Sequence, residues 1–430
     1  MRITLSASTI IVVWGLLYFR VGPVPTWFYV FAWYPTLILL DAIASRPEGR
    51  PSLFADRRLA VSLFAWSPVI WLVFEAANLR LHNWYYVSLP ALQWERWSGI
   101  LLSFATVVPA LLLAERVFDS AGACKRWRTR PIAVRPWELR TAVGLGLGIG
   151  ALALLRPVVF FPLIWGSVFL IADPFVYRRI PQLSLIRDVE RGEWGRIGRL
   201  MLGGIGIGLI WETYNYWADG HWIYTVPWLE QTKLFEMPPL GFVGFPFLAL
   251  EAWSMYAALC ALGVAIPVSG MARVAPKRLA VAGTAALAFV VVTLSTMERY
   301  TISSTVPRLG ELPGITPRQV EIMRGAEIRS LNHLVRIDWR RLVAATELDS
   351  TTATRMVETA RLVTLRGIGN KHARKLLQLG VDDVCILATR DGAQLAHALR
   401  DELSPVRPTT AETRVWVRSA KRACGQEGPT

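Results

Sequence analysis

Two glutamate–asparagine pairs are the residues of this chain whose types and spacing best suit chemistry. Glu75 and Asn78 lie three residues apart, and Glu212 and Asn215 repeat that spacing in the second half. The spacing places both members of a pair on one face of a helix. There the pairs could bind a cation, relay protons or act as general acid and base. Alternatively, each pair ties a helix end to the following loop through hydrogen bonds.

Four further carboxylates lie within or beside apolar segments. Glu251 stands inside the run FPFLALEAWSMY and is the best single candidate for a functional intramembrane carboxylate. Glu115 lies toward the end of an earlier apolar run. For Asp41 and Asp173 we expect ion pairs with neighbouring arginines, although a divalent metal that bridges lipid phosphates is an alternative. The sequence has no DDxxD-type cluster, so we predict no metal site and no cofactor.

The apolar segments that position these residues are long enough to cross a bilayer. The chain has 430 residues, of which 53% are hydrophobic, and its mean hydropathy is +0.36. A span needs about 18–20 apolar residues. We predict an all-α membrane bundle of nine spans, at about residues 3–20, 24–44, 58–77, 97–117, 138–155, 157–172, 197–217, 241–267 and 279–297. Arg156-Pro157 predicts a tight hairpin between the fifth and sixth spans.

The two halves of the membrane part carry the same residues in the same order. The matched pairs are Trp33 with Trp165, Asp41 with Asp173, Glu75 with Glu212, Asn78 with Asn215, Trp84 with Trp222, Tyr86 with Tyr224, and Pro109 with Pro246. We predict two four-helix repeats, at about residues 1–118 and 136–267, and an extra helix at 279–297. Because each repeat has an even number of spans, we expect a pseudo-two-fold axis along the membrane normal.

Lysine and arginine are distributed unevenly between the predicted loops. The even-numbered loops carry 20 of these residues and the odd-numbered loops carry 5. Cytoplasmic loops of membrane proteins are enriched in lysine and arginine. We therefore predict that the protein lies in the cytoplasmic (inner) membrane, with its even-numbered loops and its N-terminus on the cytoplasmic side. Nine spans then place the C-terminal domain outside. Membrane lipid is the expected surrounding partner.

Glycines recur within the spans without fitting a dinucleotide-binding loop. They are Gly144, Gly146, Gly148 and Gly150 in one stretch, and Gly203, Gly204, Gly206 and Gly208 in another. No predicted strand precedes them, as the GxGxxG motif requires. We predict that these glycines allow close helix packing through small-residue faces.

The chain becomes charged and loses its long apolar runs after about residue 300, which indicates a small soluble domain. Residues 365–380 read LRGIGNKHARKLLQLG and resemble the helix-hairpin-helix motif, in which a G-h-G turn joins two short helices. Gly367 and Gly369 suit the tight turn, and Ile368 should fill the core between the helices. The resemblance implies a nucleic-acid-binding turn formed by Gly367, Ile368, Gly369, Lys371 and Arg374.

A degenerate copy of the motif precedes this one. Residues 312–328 read LPGITPRQVEIMRGAEI, and Thr316 replaces the second glycine. We predict a linker at 301–310, a tandem helix-hairpin-helix domain at 311–402 and a partly disordered tail at 403–430. Known members of this fold class bind DNA without sequence preference or serve as protein-interaction modules. Residues 308–430 contain 20 Lys or Arg and 14 Asp or Glu, so the modest positive charge leaves both the DNA phosphate backbone and a protein partner open.

The four cysteines show no spacing typical of a metal site or a redox motif. They are Cys124, Cys260, Cys385 and Cys424. We expect neither a disulfide framework nor a cysteine-based metal site.

Both halves of the membrane part share an order of residues: a carboxylate, W-x-Y, glycine, and then proline followed by glutamate. The carriers are Glu75, Trp84, Tyr86, Gly99, Pro109 and Glu115 in the first half, and Glu212, Trp222, Tyr224, Gly241, Pro246 and Glu251 in the second. This order resembles the heterodimeric-type lycopene cyclase domain, although the adjacent P-x-E-E pattern of that family is missing. We therefore predict a membrane protein whose helix-hairpin-helix domain is a protein-interaction or DNA-binding module. The alternative is a membrane-embedded isoprenoid or carotenoid cyclase-like enzyme, or a transporter, that uses the paired glutamates.

Overall fold

The computed structural model describes residues 1–47, 50–226, 233–268, 274–306, 308–346, 348–400 and 407–425. The fold is all-α, as predicted, with two short strands in the described part of the chain. The chain divides into two compact units. The first comprises Met1–Asn83, Trp97–Ala218 and Val226–Met297, and the second comprises Trp84–Arg96, Asp219–Thr225 and Glu298–Thr430.

The first unit is built from long apolar helices. They are α1 (Arg2–Tyr18), α2 (Val24–Ala44), α3 (Arg57–Leu81), α4 (Gln93–Phe104), α5 (Val107–Ser120), α6 (Pro136–Leu155), the single turn α7 (Pro157–Phe160), α8 (Ile164–Arg179), the short α9 (Leu185–Glu190), α10 (Gly195–Trp217), α11 (Gly244–Ala261) and α12 (Pro276–Tyr300). Within the described residues, seven helical segments have the length and composition to cross a membrane, and each lies on a predicted span. The other two predicted spans are α1, a shorter apolar helix, and α10.

Prolines set several helix boundaries in this unit. Helix α6 ends at Leu155 and the next helical turn begins at Pro157, as the predicted hairpin requires. Pro109 and Pro246 are each the third residue of their helices, α5 and α11. A proline in the first helical turn is tolerated because its missing N–H would have no partner there.

Five of the eight glycines predicted to allow close helix packing lie against a neighbouring helix, namely Gly146, Gly150, Gly203, Gly204 and Gly208, whereas a Cβ at Gly144, Gly148 or Gly206 would meet nothing within 4 Å. A Cβ at Gly150 would lie 2.5 Å from the Ser167 hydroxyl, and one at Gly204 would lie 2.4 Å from the Phe245 carbonyl oxygen. A Cβ at Gly208, one turn beyond Gly204, would meet the Phe245 ring at 2.4 Å. Only a residue without a side chain permits these approaches, which resemble small-xxx-small packing in membrane helices.

A small sheet joins three distant parts of the chain in the second unit. Strand β1 (Trp84–Val87) pairs antiparallel with β2 (His221–Tyr224); together we call them the ribbon. Residues 301–306, which we expected to form a linker, run beside β1 through parallel bridges at Ile302 and Thr305. The Tyr86 N–H donates to the Thr301 carbonyl over 2.8 Å.

Eight helices complete the second unit. They are α13 (Pro317–Gly325), α14 (Leu331–Arg336), α15 (Trp339–Thr346), α16 (Ser350–Thr364), α17 (Gly369–Gln378), α18 (Val384–Ala388), α19 (Gly392–Leu399) and α20 (Thr410–Ala423). The domain boundary expected at residue 402 falls within 401–406, outside the described residues. Helix α20 lies in the stretch expected as a tail, and its Trp416 is fully buried in the core of the unit.

The helices α13–α16 and α17–α20 repeat one arrangement. Gly314 and Gly367, 53 positions apart, begin the two copies with φ angles of +80° and +76°. Glu327 and Gly380, also 53 positions apart, follow the first helix of each copy with φ angles of +62° and +71°. The hairpin domain is therefore duplicated, and the second copy extends through α20.

We expected no disulfide framework, but one disulfide is present. Cys385 of α18 and Cys424 after α20 are bonded, with their Cα atoms 5.6 Å apart and 39 residues between them in sequence. The pairing depends on the packing of α18 against α20. Sequence spacing alone carries no signal for such a long-range pair.

Candidate functional site

The first glutamate–asparagine pair lies at the end of α3. Glu75 and Asn78 are both fully buried. The Trp71 indole N–H donates to the Glu75 carboxylate over 2.9 Å. The Asn78 side-chain oxygen accepts from the backbone N–H of Asn83 over 2.8 Å, just beyond the helix. Asn78 thus ties a helix end to the following loop, which is the structural alternative stated for these pairs.

The second pair lies at the equivalent end of α10. Glu212 and Asn215 are also fully buried. Tyr214 shares a hydrogen bond of 2.8 Å with the Thr36 hydroxyl of α2. Around these residues the first unit is densely aromatic, so any ligand-binding function of the glutamates would operate among indole and phenol rings.

Aromatic contacts join the two halves of the membrane part at residues that the sequence comparison matched. Trp33 of α2 packs against Trp211 of α10 with ring centroids 6.3 Å apart. Its counterpart Trp165 packs against Phe74, the residue before Glu75, at 5.2 Å. Phe74 precedes Glu75 as Trp211 precedes Glu212. Each of these two tryptophans therefore packs against the aromatic residue that precedes the glutamate in the other half of the membrane part.

Glu251 occupies a different kind of position. It is fully buried on α11, and its Oε1 accepts from the backbone N–H groups of Gly166 at 2.7 Å and Val168 at 3.0 Å. Helix α8 is interrupted there, because Trp165 and Gly166 have non-helical backbone angles. The carboxylate of Glu251 satisfies backbone donors that the interruption leaves without helical acceptors.

Asp41 and Asp173 both hold the loop that follows their helix. Asp41 accepts from the Ser52 hydroxyl and from the Leu53 backbone N–H. Asp173 accepts from the Ser184 hydroxyl at 2.7 Å and the Leu185 backbone N–H at 3.1 Å. Asp41 also forms the kind of ion pair that we expected, with Arg2 at 3.7 Å. Both aspartates therefore fix the turn after their helix through equivalent contacts.

Other carboxylates of this unit also form ion pairs. Arg199 donates to Glu115 over 2.7 Å and lies 3.4 Å from Asp119. Glu115 and Glu251 match in the sequence pattern, but they have unlike partners. Among the described residues, no group of three or more His, Cys, Asp or Glu side chains is arranged to hold a metal.

The predicted nucleic-acid-binding turn in the second unit is largely enclosed. Gly367 and Gly369 are buried, and Ile368 fills the core as expected. A Cβ at Gly367 would lie 2.2 Å from Val87 of β1, and a Cβ at Gly369 would lie 2.7 Å from Ser304. Lys371 and Arg374 on the following helix are exposed.

The turn of the first copy is open instead. Gly314 is exposed, and a Cβ there would meet nothing within 4 Å. It borders a groove of about 540 Å³, which we call the first-copy groove. Its lining residues are Gly310, Glu311, Leu312, Pro313, Gly314, Arg374, Leu377 and Gln378. The groove therefore places a carboxylate and a guanidinium beside exposed backbone.

A buried polar cluster lies between the second copy and the ribbon. Arg407 pairs with Glu412, whose side chains are 6% and 1% exposed, and the Arg407 guanidinium lies 5.8 Å from the Tyr85 ring centroid. Burial lowers the pKa of His372 to about 4, and its ring packs 5.2 Å from that of Trp416. Burial alone would raise the pKa of Glu412, but Arg407 beside it brings the pKa below the usual value.

The comparisons with known proteins bear on the second unit. Residues 306–362 match the family model of the SAM-like helix-hairpin-helix tandem. This range contains the first copy, so the C-terminal region carries a helix-hairpin-helix domain, as predicted. No curated protein and no solved structure matches the chain.

Sequence reasoning missed the ribbon and its contact with the hairpin turn. The signal available was the tripeptide W-x-Y, which occurs at Trp84 and at Trp222. Alternating aromatic residues favour a strand, but we used them only as matched residues of the two halves. The register pairs Trp84 with Tyr224 and Tyr86 with Trp222. Trp84 thus faces the residue that matches Tyr86, and Tyr86 faces the residue that matches Trp84. A local two-fold axis between the strands produces this pairing.

Proposed function

We propose that this protein is a multi-pass membrane protein that presents a helix-hairpin-helix interaction module on the outer side of the inner membrane. Seven helical segments in the described residues are long and apolar enough to span, and the tandem family model matches residues 306–362. The open first-copy groove is the observation that carries the proposal, because it leaves a hairpin turn accessible to a partner.

The disulfide supports the outer location. Cys385 and Cys424 are bonded within the second copy. Disulfides persist in oxidising compartments and are rare where the cytosol keeps thiols reduced. The prediction of nine spans with a cytoplasmic N-terminus also places this domain outside. The two arguments are independent, since one rests on loop charge and the other on cysteine chemistry.

Within this proposal, the partner is a protein rather than a nucleic acid. The first-copy groove carries Glu311 as well as Arg374, so it offers both charges instead of a continuous basic surface. Non-specific DNA binding depends on many phosphate contacts from lysine and arginine. The modest positive charge of residues 308–430 is a weak source of such contacts.

Site-specific photocrosslinking tests the proposal. A photoreactive amino acid at Gln378, which lines the groove, should give a discrete protein adduct in native membranes. The same amino acid at Thr354, exposed on α16 and away from the groove lining, should not. In parallel, the purified full-length protein should not shift duplex DNA. A gel shift that weakens steeply between 50 and 200 mM salt, without a protein adduct, would replace the protein partner by DNA.

The enzyme or transporter alternative is supported by one observation, the full burial of Glu75 and Glu212 among aromatic rings. A lipid-soluble isoprenoid would suit such surroundings. Glu251 accepts from the backbone N–H of Gly166, and Asn78 accepts from that of Asn83. These hydrogen bonds favour structural roles for both side chains. Extraction of a bound isoprenoid with the purified protein, and its loss in Glu75→Gln together with Glu212→Gln, would favour this alternative.

A further inference from the structure

The two hairpin copies differ in what faces their turns. Gly314 and Gly367 occupy equivalent positions, with φ angles of +80° and +76°. Such angles strain any residue with a side chain. Beyond that shared requirement, Gly314 faces open space, whereas Gly367 lies against Val87. The difference is therefore one of contact and not of backbone conformation.

Hydrogen bonds hold the surface that covers the second turn. Val87 at the end of β1 is fully buried. The Ser304 side-chain oxygen accepts from the Ser88 backbone N–H over 3.1 Å, and Ser304 also lies against Gly367 and Gly369. The turn is thus closed from both sides, by β1 and by the strand-like segment 301–306.

Further contacts hold the ribbon in this place. The Ser303 N–H donates to the Tyr86 carbonyl over 2.8 Å. Val415 of α20 shares a small buried cluster with Tyr85, Val87 and Ile223. The second copy therefore contacts the ribbon through its turn and through its last helix.

A bidentate ion pair closes the loop that follows β1. Arg96 donates from Nε and Nη2 to the two carboxylate oxygens of Glu298, each over 2.8 Å. Its Nη1 donates to the Pro90 and Ala91 carbonyl oxygens. Arg96 is only 7% exposed and Glu298 is partly exposed, and the two parallel hydrogen bonds make the pair geometrically specific. These contacts fix the loop after β1 beside Glu298, near the start of the segment that leads into the hairpin domain.

We propose that the turns of the two hairpin copies have different functions. The turn at Gly367 is a docking surface for the ribbon of the same chain and takes no external ligand. Binding of an external partner belongs to the first-copy groove, which the open turn at Gly314 forms together with the outer face of α17. The second statement rests on the proposed function, whereas the first does not.

Hydrogen–deuterium exchange of the full-length protein in detergent tests the docking. Gly367→Ala should raise the exchange of ribbon amides, in peptides covering residues 84–89 and 301–306, by at least about tenfold through local opening. Gly314→Ala is the matched control, because it carries the same backbone strain without the contact. It should leave ribbon exchange unchanged and should weaken the adduct formed from Gln378.

A second variant keeps the test informative if Gly367→Ala fails to fold. Val87→Ala shortens the side chain that faces the turn and leaves the hairpin sequence intact, and it should also deprotect the ribbon. Wild-type protection of the ribbon in Val87→Ala or Gly367→Ala would overturn the docking role. A duplex-DNA shift abolished by Gly367→Ala would overturn it as well. Absence of the Gln378 adduct with a normal exchange result would contradict only the proposed function.

Discussion

A neutral histidine is buried beside a charged pair in the second unit. His372 is 6% exposed, and burial is the main cause of its low pKa, about 4. The charged groups that act on it are Glu412, which favours its protonated form, and Arg407, Lys371 and Lys375, which oppose it. Three cations and desolvation outweigh the single carboxylate, so the folded protein keeps this ring neutral.

This histidine should make the second unit sensitive to mild acid. Its pKa is about 4 in the folded chain against an ordinary value of 6.5. Between those pH values the unfolded chain binds more protons, so stability is complete above about pH 6.5 and falls as the pH is lowered toward 4. The full loss corresponds to about 3 kcal/mol. Thermal unfolding of the full-length protein between pH 7.5 and 4.5 would measure it.

His372→Gln provides the control for the acid effect. The substitution removes the titrating ring and keeps a polar side chain of similar size. Its unfolding temperature should be lower at pH 7.5, because packing against Trp416 is lost, but it should change less across the same range. An equally steep pH dependence in the variant would assign the effect to other groups.

At the scale of helices, the Glu251 carboxylate accepts hydrogen bonds from backbone N–H groups where α8 is interrupted. The interruption at Trp165 and Gly166 leaves backbone N–H groups within an apolar unit. Glu251 accepts from two of them, and unsatisfied donors in such surroundings cost about 1–3 kcal/mol each. The nearby α6 packs its glycine face against Ser167, so the same stretch is constrained from both neighbours.

Substitutions at Glu251 should separate a structural from a chemical role. Glu251→Gln keeps an oxygen that can accept from both N–H groups, so it should lower stability by no more than about 1 kcal/mol. Glu251→Leu removes the acceptor and should cost about 2–5 kcal/mol. Unfolding temperatures of the two variants in detergent would measure the difference. Equal destabilisation by both would show that the negative charge, and not the cap, is what the site requires.

The disulfide is a second element-scale constraint. It links α18 to the end of α20 across 39 residues, and loop closure of that length corresponds to roughly 4 kcal/mol of stabilisation. Cys385→Ser with Cys424→Ser should therefore lower the unfolding temperature of the second unit. Cys124→Ser with Cys260→Ser is the matched control, since those cysteines are unpaired. Equal stability of the first double variant and the wild type would contradict the prediction.

Sequence patterns predicted those elements that local physics determines. Hydropathy placed the long helices, and the G-h-G pattern placed Ile368 in a core, because both signals depend on neighbours in the chain. The matches at 132 to 138 positions anticipated the equivalent contacts of Asp41 and Asp173. The ribbon and the disulfide could not be predicted, since they join residues far apart in sequence through tertiary packing.

At the scale of the whole molecule, loop charge and cysteine chemistry together predict which side of the membrane each part of the chain faces. Cys124 lies in the arginine-rich loop after α5, which we expect in the cytoplasm. Cys385 and Cys424 lie in the second unit, which we expect outside and in which they are bonded. Cys260 is buried and should react slowly. The native cysteines therefore report both sides without engineered sites.

Labelling with a membrane-impermeant maleimide should resolve the two sides in intact spheroplasts. Without reductant, the wild type should take up little label, and Cys124 should react only after permeabilisation. After treatment with an impermeant phosphine, Cys385 and Cys424 should become labelled from the outside, and Cys385→Ser with Cys424→Ser should abolish that signal. One additional or missing span after Cys124 reverses the side of the second unit but not that of Cys124. Labelling of Cys124 and of the reduced Cys385 and Cys424 only after permeabilisation would therefore show that the nine-span count is wrong by one. The orientation predicted from loop charge would still hold.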